Sequence, residues 1–193
     1  MITVVNIIPN ALSGEANQDS EPNIAVNPAN PDEIAITAFT PDPMGGANAP
    51  IFVSTNGGTA WVLNAIVPSQ AGSQTGTGDI VPRFGTGGNR FYAGILRRPG
   101  NLRLNILRSA NFTAPTVMTI LVDRTQVDQP FTQAMTVPTG PDAGNDRVYV
   151  GLNDFAAAGG RTATVERSLN AGATTPTFTS VRIGPRLVRE LEA

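Results

Sequence analysis

The sequence predicts an all-β protein, a partial β-propeller of three four-stranded antiparallel blades. Three observations lead there. The 193 residues include 20 glycines and 16 prolines, and only two stretches, Asn101–Ala114 and Thr116–Gln129, run 14 residues without either. Neither carries the i, i+3, i+4, i+7 apolar stripe of a helix. What recurs instead is alternation, in Ile34-Ala35-Ile36-Thr37-Ala38, Phe91-Tyr92-Ala93-Gly94-Ile95 and Val148-Tyr149-Val150-Gly151-Leu152, each bounded by turn residues as half-buried strands are. The starts of these segments, Ile34, Phe91 and Val148, are 57 residues apart each time, and each follows a polar pair, Asp32-Glu33, Asn89-Arg90 or Asp146-Arg147. A four-stranded unit repeated in tandem at roughly 50 residues marks a propeller blade.

The elements follow in order. Thr3-Val4-Val5-Asn6-Ile7-Ile8-Pro9 resembles Leu63–Pro68 and reads as an extra fourth strand, so residues 1–18 form a closing strand and linker. Blade 1 spans 19–68, blade 2 69–122 and blade 3 123–184, with a tail at 185–193; the whole is a single propeller-type domain or a half-propeller. Each blade opens on an acid followed by proline, Asp19-Ser20-Glu21-Pro22, Asp79-Ile80-Val81-Pro82 and Asp128-Gln129-Pro130, after which an inner strand is expected. The alternating segment is the second strand. The third ends at a Ser-x-Asn turn, beginning at Ser54, Ser109 and Ser168, 55 and 59 residues apart and so in step with the strand repeat. Fourth strands are expected at Trp61–Val67, Thr116–Val122 and Thr177–Ile183.

Composition narrows the chemistry. All 13 cationic residues are arginine, and the chain has no Lys, His or Cys. Disulfides, cysteine-ligated metals, thiol nucleophiles, a Ser–His triad, a histidine base, a Schiff-base lysine and a P-loop are all excluded. A net charge of −2 leaves no basic footprint, so nucleic acid is not expected as a partner. The longest apolar runs are far below the ~20 residues of a membrane helix, so no membrane span is expected. Met1-Ile2-Thr3-Val4-Val5 has neither the basic n-region nor the small-residue cleavage site of a signal peptide.

Ser54-Thr55-Asn56-Gly57-Gly58-Thr59-Ala60-Trp61 resembles the Asp-box, Ser-x-Asp-x-Gly-x-Thr-Trp, of the sialidase-like (bacterial neuraminidase repeat) propeller superfamily. Asn56 stands where that family has Asp, and Ala60 where it has Thr. The second copy keeps Ser109 and Asn111, and the third Ser168, Asn170 and Gly172. The resemblance implies a sialidase-like propeller with these boxes as rim hairpins away from the ligand face. Turn chemistry accounts for the residues: Asn and Ser bind turn amides, Gly takes positive φ, and Trp61 packs between sheets. The family's active members share an Arg-Ile-Pro tripeptide on the first inner strand, an arginine triad, an Asp acid/base and a Tyr–Glu pair. Here that strand reads Glu21-Pro22-Asn23-Ile24, and Tyr92 and Tyr149 sit in second strands where packing is their expected role. No catalytic residue is assigned. The resemblance favours an extracellular or cell-surface location.

The candidate ligand-binding residues are Asp19, Glu21, Asp79, Arg83 and Asp128, whose similar blade positions would gather them at one mouth of a central channel. Carboxylates so placed bind cations, calcium among them, or sugar hydroxyls. Their plainer role is to end a loop by accepting backbone amides, and that of Arg83 is an ion pair. No cofactor and no metal site is assigned; Asp142-Ala143-Gly144-Asn145-Asp146 reads as a polar hairpin turn and Gly72–Gly78 as a surface loop. The expected function is a non-catalytic binding or structural module for a glycan or protein ligand. The alternative is a truncated or divergent sialidase-like glycoside hydrolase. Three blades leave two sheet faces open, so the ring is completed by the rest of a longer chain or by a second copy of this one, as a homo-oligomer.

Overall fold

The structure, a computed structural model, describes residues 20–39, 51–64, 66–68, 77–88, 90–97, 102–114, 116–157 and 160–183. The expected strand at Thr3–Pro9, most of the loop Gly72–Gly78 and the tail at 185–193 lie outside them. Among the described residues there are twelve strands and no helix, so none there is long and apolar enough to cross a membrane. Sheet 1 holds β1 (Ser20–Val26), β2 (Ile34–Phe39), β3 (Ile51–Ser54) and β4 (Val62–Asn64). Sheet 2 holds β5 (Thr77–Phe84), β6 (Phe91–Arg97), β7 (Arg103–Ser109) and β8 (Thr119–Thr125). Sheet 3 holds β9 (Val127–Thr136), β10 (Asp146–Asp154), β11 (Thr162–Ser168) and β12 (Thr179–Arg182). Each is an antiparallel meander in chain order, and no sheet closes on itself. The first fourth strand is shorter than Trp61–Val67. Beyond Asn64 the chain leaves the ladder, and Ile66 and Val67 are buried in the core shared with sheet 2, where the Ile66 carbonyl accepts the Met118 N–H at 2.7 Å.

Successive residues of a strand point to opposite faces, and the repeat uses this in the same way in every sheet. Phe91, Ala93 and Ile95 of β6 meet Ala25, Ala35 and Val53 of sheet 1 in one core. Tyr92 on the opposite face of β6, with Leu104 and Ile106, meets Val127, Val148 and Val150 of sheet 3 in a second core. The row of Ile34, Phe91 and Val148 therefore belongs to the face toward the preceding sheet, and the row of Ala35, Tyr92 and Tyr149 to the face toward the following one. Sheet 2, between the other two, is covered on both sides, and every residue of β6 is buried.

Polar contacts register the sheets. Between sheets 1 and 2, Thr37 Oγ1 donates to the Ile80 carbonyl at 2.7 Å and Asn64 Nδ2 to the Phe112 carbonyl at 2.8 Å. Between sheets 2 and 3, the buried Asp146 carboxylate collects Tyr92 Oη at 2.7 Å, Arg90 Nη1 at 3.1 Å and Thr136 Oγ1 at 2.6 Å. Burial, then the bond to Asp146 and its charge, push the Tyr92 phenol well above its ordinary range and keep it a donor. Arg124 of β8 reaches Asp154 and Glu166 of sheet 3. Close approach also requires Gly94: its N–H donates to Thr132 Oγ1 at 3.0 Å, and a β-carbon there would lie 2.5 Å from the same oxygen.

Two outcomes test this seam. Gly94→Ala should cost about 1–3 kcal/mol in urea unfolding through overpacking, and an unchanged midpoint would show that the two sheets do not meet at Gly94. Tyr92→Phe should cost about 1.5–3 kcal/mol, the range for a bond to a charged group; a change under about 0.5 kcal/mol would remove Asp146 from its role as the tie between sheets 2 and 3.

Candidate functional site

The first strand of each sheet carries a β-bulge, and the three fall within one residue of the same repeat position. The ladder slips between Ser20 and Asn23 of β1, between Thr77 and Ile80 of β5, and opposite Gly151 and Asn153 at Gln129-Pro130 of β9. Bulges re-aim side chains and accept residues that a regular ladder rejects. Pro22 and Pro130 are tolerated because β1 and β9 are edge strands of their sheets. Glu21 and Gln129 have φ of 52° and 53°, a left-handed conformation that costs a non-glycine residue free energy.

Register makes Asn23, Val81 and Phe131 equivalent, since they pair with Thr37, Gly94 and Gly151 at the same step of the 57-residue repeat. Counting back, Glu21, Asp79 and Gln129 are equivalent, as are Pro22, Ile80 and Pro130. These nine residues line one cavity of about 170 Å³. Three bulged strands thus bring the same three positions to a common mouth, with Glu21, Asp79 and Gln129 supplying the polar side chains together with Asn23.

Asp79 is half-buried there. Burial first, then a hydrogen bond and charge repulsion from Glu21, and finally the charge of Asp128, push its carboxyl up to about 6. The Asp79 carboxyl therefore takes up a proton as pH falls through about 6. Arg83, from β5, donates to Asn23 Oδ1 at 3.1 Å and to the Pro82 carbonyl at 2.7 Å, and burial lowers its pKa. It ties two inner strands together behind the mouth.

The structure rearranges part of the expected set. Glu21 and Asp79 meet at the cavity. Asp128 is one residue short of it, opposite Asn153, and its Oδ1 accepts the Gln129 N–H at 2.9 Å. Asp19 lies outside the described residues. Asp79 is in step with Glu21 and Gln129, but Pro82 falls two residues beyond Pro22 and Pro130, and a shift of two preserves strand face, so alternation alone does not expose it. Gln129 has no acidic signature, and only the bulge shows its equivalence to Glu21. Among the described residues no three acids are grouped to hold a metal ion.

The Ser-x-Asn turns have local partners. Ser54 Oγ accepts the N–H of Gly58 at 2.9 Å, Asn56 Oδ1 accepts that of Ala60 at 2.8 Å, and Gly57 and Gly58 take φ of 66° and 85°. Ser109 Oγ accepts the Asn111 N–H at 3.2 Å, and Asn111 Oδ1 the Thr113 N–H at 3.1 Å. Ser168 Oγ accepts the Asn170 N–H at 3.3 Å, and Asn170 Oδ1 the Thr177 N–H at 2.9 Å. Trp61 is half-buried, and its indole N–H donates to the Gly58 carbonyl at 2.9 Å, which caps its own turn. Gly172 lies under the Arg90 guanidinium, where a β-carbon would come within 2.8 Å of it. A second cavity of about 250 Å³ beside Arg90, Thr136 and Asp146 is lined by the groups already engaged at the seam.

No protein-family model, curated protein or solved structure matches the chain.

The raised Asp79 pKa has a definite sign. Between the ordinary value of 3.8 and about 6 the folded state holds a proton that the unfolded chain has released. This contribution to stability is therefore fully present below about pH 4 and is lost as pH rises through 6. Asp79→Asn should be more stable than the wild type at pH 7.5, by roughly 1 kcal/mol after solvent screening, with the difference vanishing toward pH 4. Urea midpoints across that range check this, and parallel curves for the two proteins would show that Asp79 is not under pressure from Glu21.

Proposed function

We propose that this chain is a non-catalytic arc of a β-propeller of sialidase-like type. In this reading the bulged inner strands form one side of a polar ligand mouth, and the Ser-x-Asn turns fasten the outer rim. One observation carries it: repeat-equivalent residues of three successive sheets line a single cavity. A propeller's central channel is made by the first strands of its blades, and equivalence at that place is what radial repetition produces. Glu21, Asp79 and Gln129 offer a mixture of donors and acceptors suited to hydroxyls, so a glycan is the favoured ligand, ahead of a protein.

The alternative of a divergent glycoside hydrolase has one feature in its favour, a carboxyl of raised pKa beside a second carboxylate. Its geometry argues otherwise. Glu21 and Asp79 are hydrogen-bonded to each other, whereas two carboxyls that flank a scissile bond stand about 5–9.5 Å apart. Arg83, beside the mouth, is already committed to Asn23 and Pro82.

On a glycan array, binding should weaken at least about 10-fold in Gln129→Ala and Asp79→Asn, as expected for one or two lost hydrogen bonds. Ser109→Ala, at the rim, should leave binding unchanged, as should chelation of calcium. Binding that ignores both mouth substitutions would move the ligand elsewhere. Turnover of a fluorogenic sialoside above the buffer blank would overturn the non-catalytic assignment.

A further inference from the structure

The faces at the two ends of the three-sheet series match the faces already joined within it. In sheet 2 the row Val81, Gly94, Ile106 and Val122 runs across all four strands on the side toward sheet 3. It is apolar throughout and is covered by sheet 3, with Val81 and Ile106 buried. The equivalent row of sheet 3 is Phe131, Gly151, Val165 and Val181. It is just as apolar, but Phe131 is 66% exposed and Val181 41%. The glycine recurs with it. Gly94 is where Thr132 of the following sheet presses in, whereas a β-carbon on Gly151 would meet only Phe131 of its own sheet, at 3.9 Å.

At the other end, the face of sheet 1 toward a preceding sheet carries the row Ile24, Ile36, Phe52 and Leu63. Phe52 is buried within the chain, and the inner-strand part is open, with Ile24 56% and Val26 49% exposed. The residue equivalent to Val26 in sheet 2 is Phe84, which is 4% exposed under sheet 1.

We propose that a second copy of this chain covers these faces, with sheet 3 of each copy stacking on sheet 1 of the other and Gly151 receiving Ile24 of the opposite copy. The partner's chemistry follows from the repeat: the element that fits a forward face in this protein is the backward face of the same unit. Stoichiometry follows from closure. Propellers close with four to eight blades, and six is the only multiple of three in that range, so two copies close the ring through two identical contacts. The inference rests on the propeller reading above, and it makes the polar mouth complete only in the pair.

Size-exclusion chromatography with light scattering on the full chain tests it. At about 10 μM the wild type should run at twice the 20.1 kDa chain mass. Gly151→Leu and Ile24→Glu should each raise the dissociation constant at least about 100-fold, by blocking the approach or by burying a charge. Both should keep the wild-type β-sheet circular dichroism, since both side chains lie on open faces. Mixing the two variants restores one intact contact and should recover part of the dimer. A wild-type monomer across the concentration range would overturn the proposal, as would open-ended growth with concentration. Dimers that ignore Ile24→Glu would replace it with sheet 3 packing on sheet 3. None of these results touches the mouth substitutions, so the propeller reading stands or falls separately.

Discussion

A sheet that is apolar on both faces has to be covered on both faces, and most of this structure follows from that constraint. Burial of apolar surface is worth roughly 25 cal/mol per Å², and β6 places all seven of its residues out of solvent. A middle sheet of this kind is stable only with a layer on either side. Sheets 1 and 3 supply those layers, and the two cores they make with sheet 2 share no residue. The polar contacts at Thr37, Asn64 and Asp146 then set the register of layers that hydrophobic contact by itself would allow to slide.

The same constraint explains where the buried charges are. Asp146 is buried, yet its oxygens are occupied by Tyr92, Arg90 and Thr136, so a group that would be costly alone becomes a tie between sheets 2 and 3. Arg97 is buried as well. Asn105 Oδ1 accepts its Nε at 2.6 Å, and the Pro68 carbonyl accepts an Nη. With no lysine in the chain, every such tie falls to arginine, whose planar fork can serve two acceptors at once. Arg108 does this with the Ala171 and Ala173 carbonyls, at 2.7 and 2.6 Å, and so holds the third Ser-x-Asn turn against sheet 2.

The mouth departs from this economy. Glu21 and Gln129 are held at positive φ, and Asp79 is held beside a second carboxyl, so local strain and repulsion coincide at one place. Among the described residues away from the mouth, positive φ falls on glycines such as Gly57 and Gly58, apart from Gln126 at the turn between β8 and β9. Strain that is concentrated at repeat-equivalent positions, and supported by buried neighbours such as Ile80 and Pro130, has the character of a site set up by its scaffold.

The sequence alone determined the strand content, the 57-residue period and the three Ser-x-Asn turns, because these depend on alternation, on turn chemistry and on spacing, all of which are local. It also placed Glu21 and Asp79 among the candidates. Tertiary structure decided the rest. A bulge changes the register without changing the composition, so the equivalence of Gln129 to Glu21 and the displacement of Asp128 from the mouth became visible only in the strand pairing. The same holds for Gly94 and Gly151. Each closes a Tyr-x-Gly at the same step of the repeat, yet one is pressed by Thr132 and the other meets no other sheet. A residue's neighbours across a sheet-to-sheet contact are distant in the chain, and nothing in a local pattern records them.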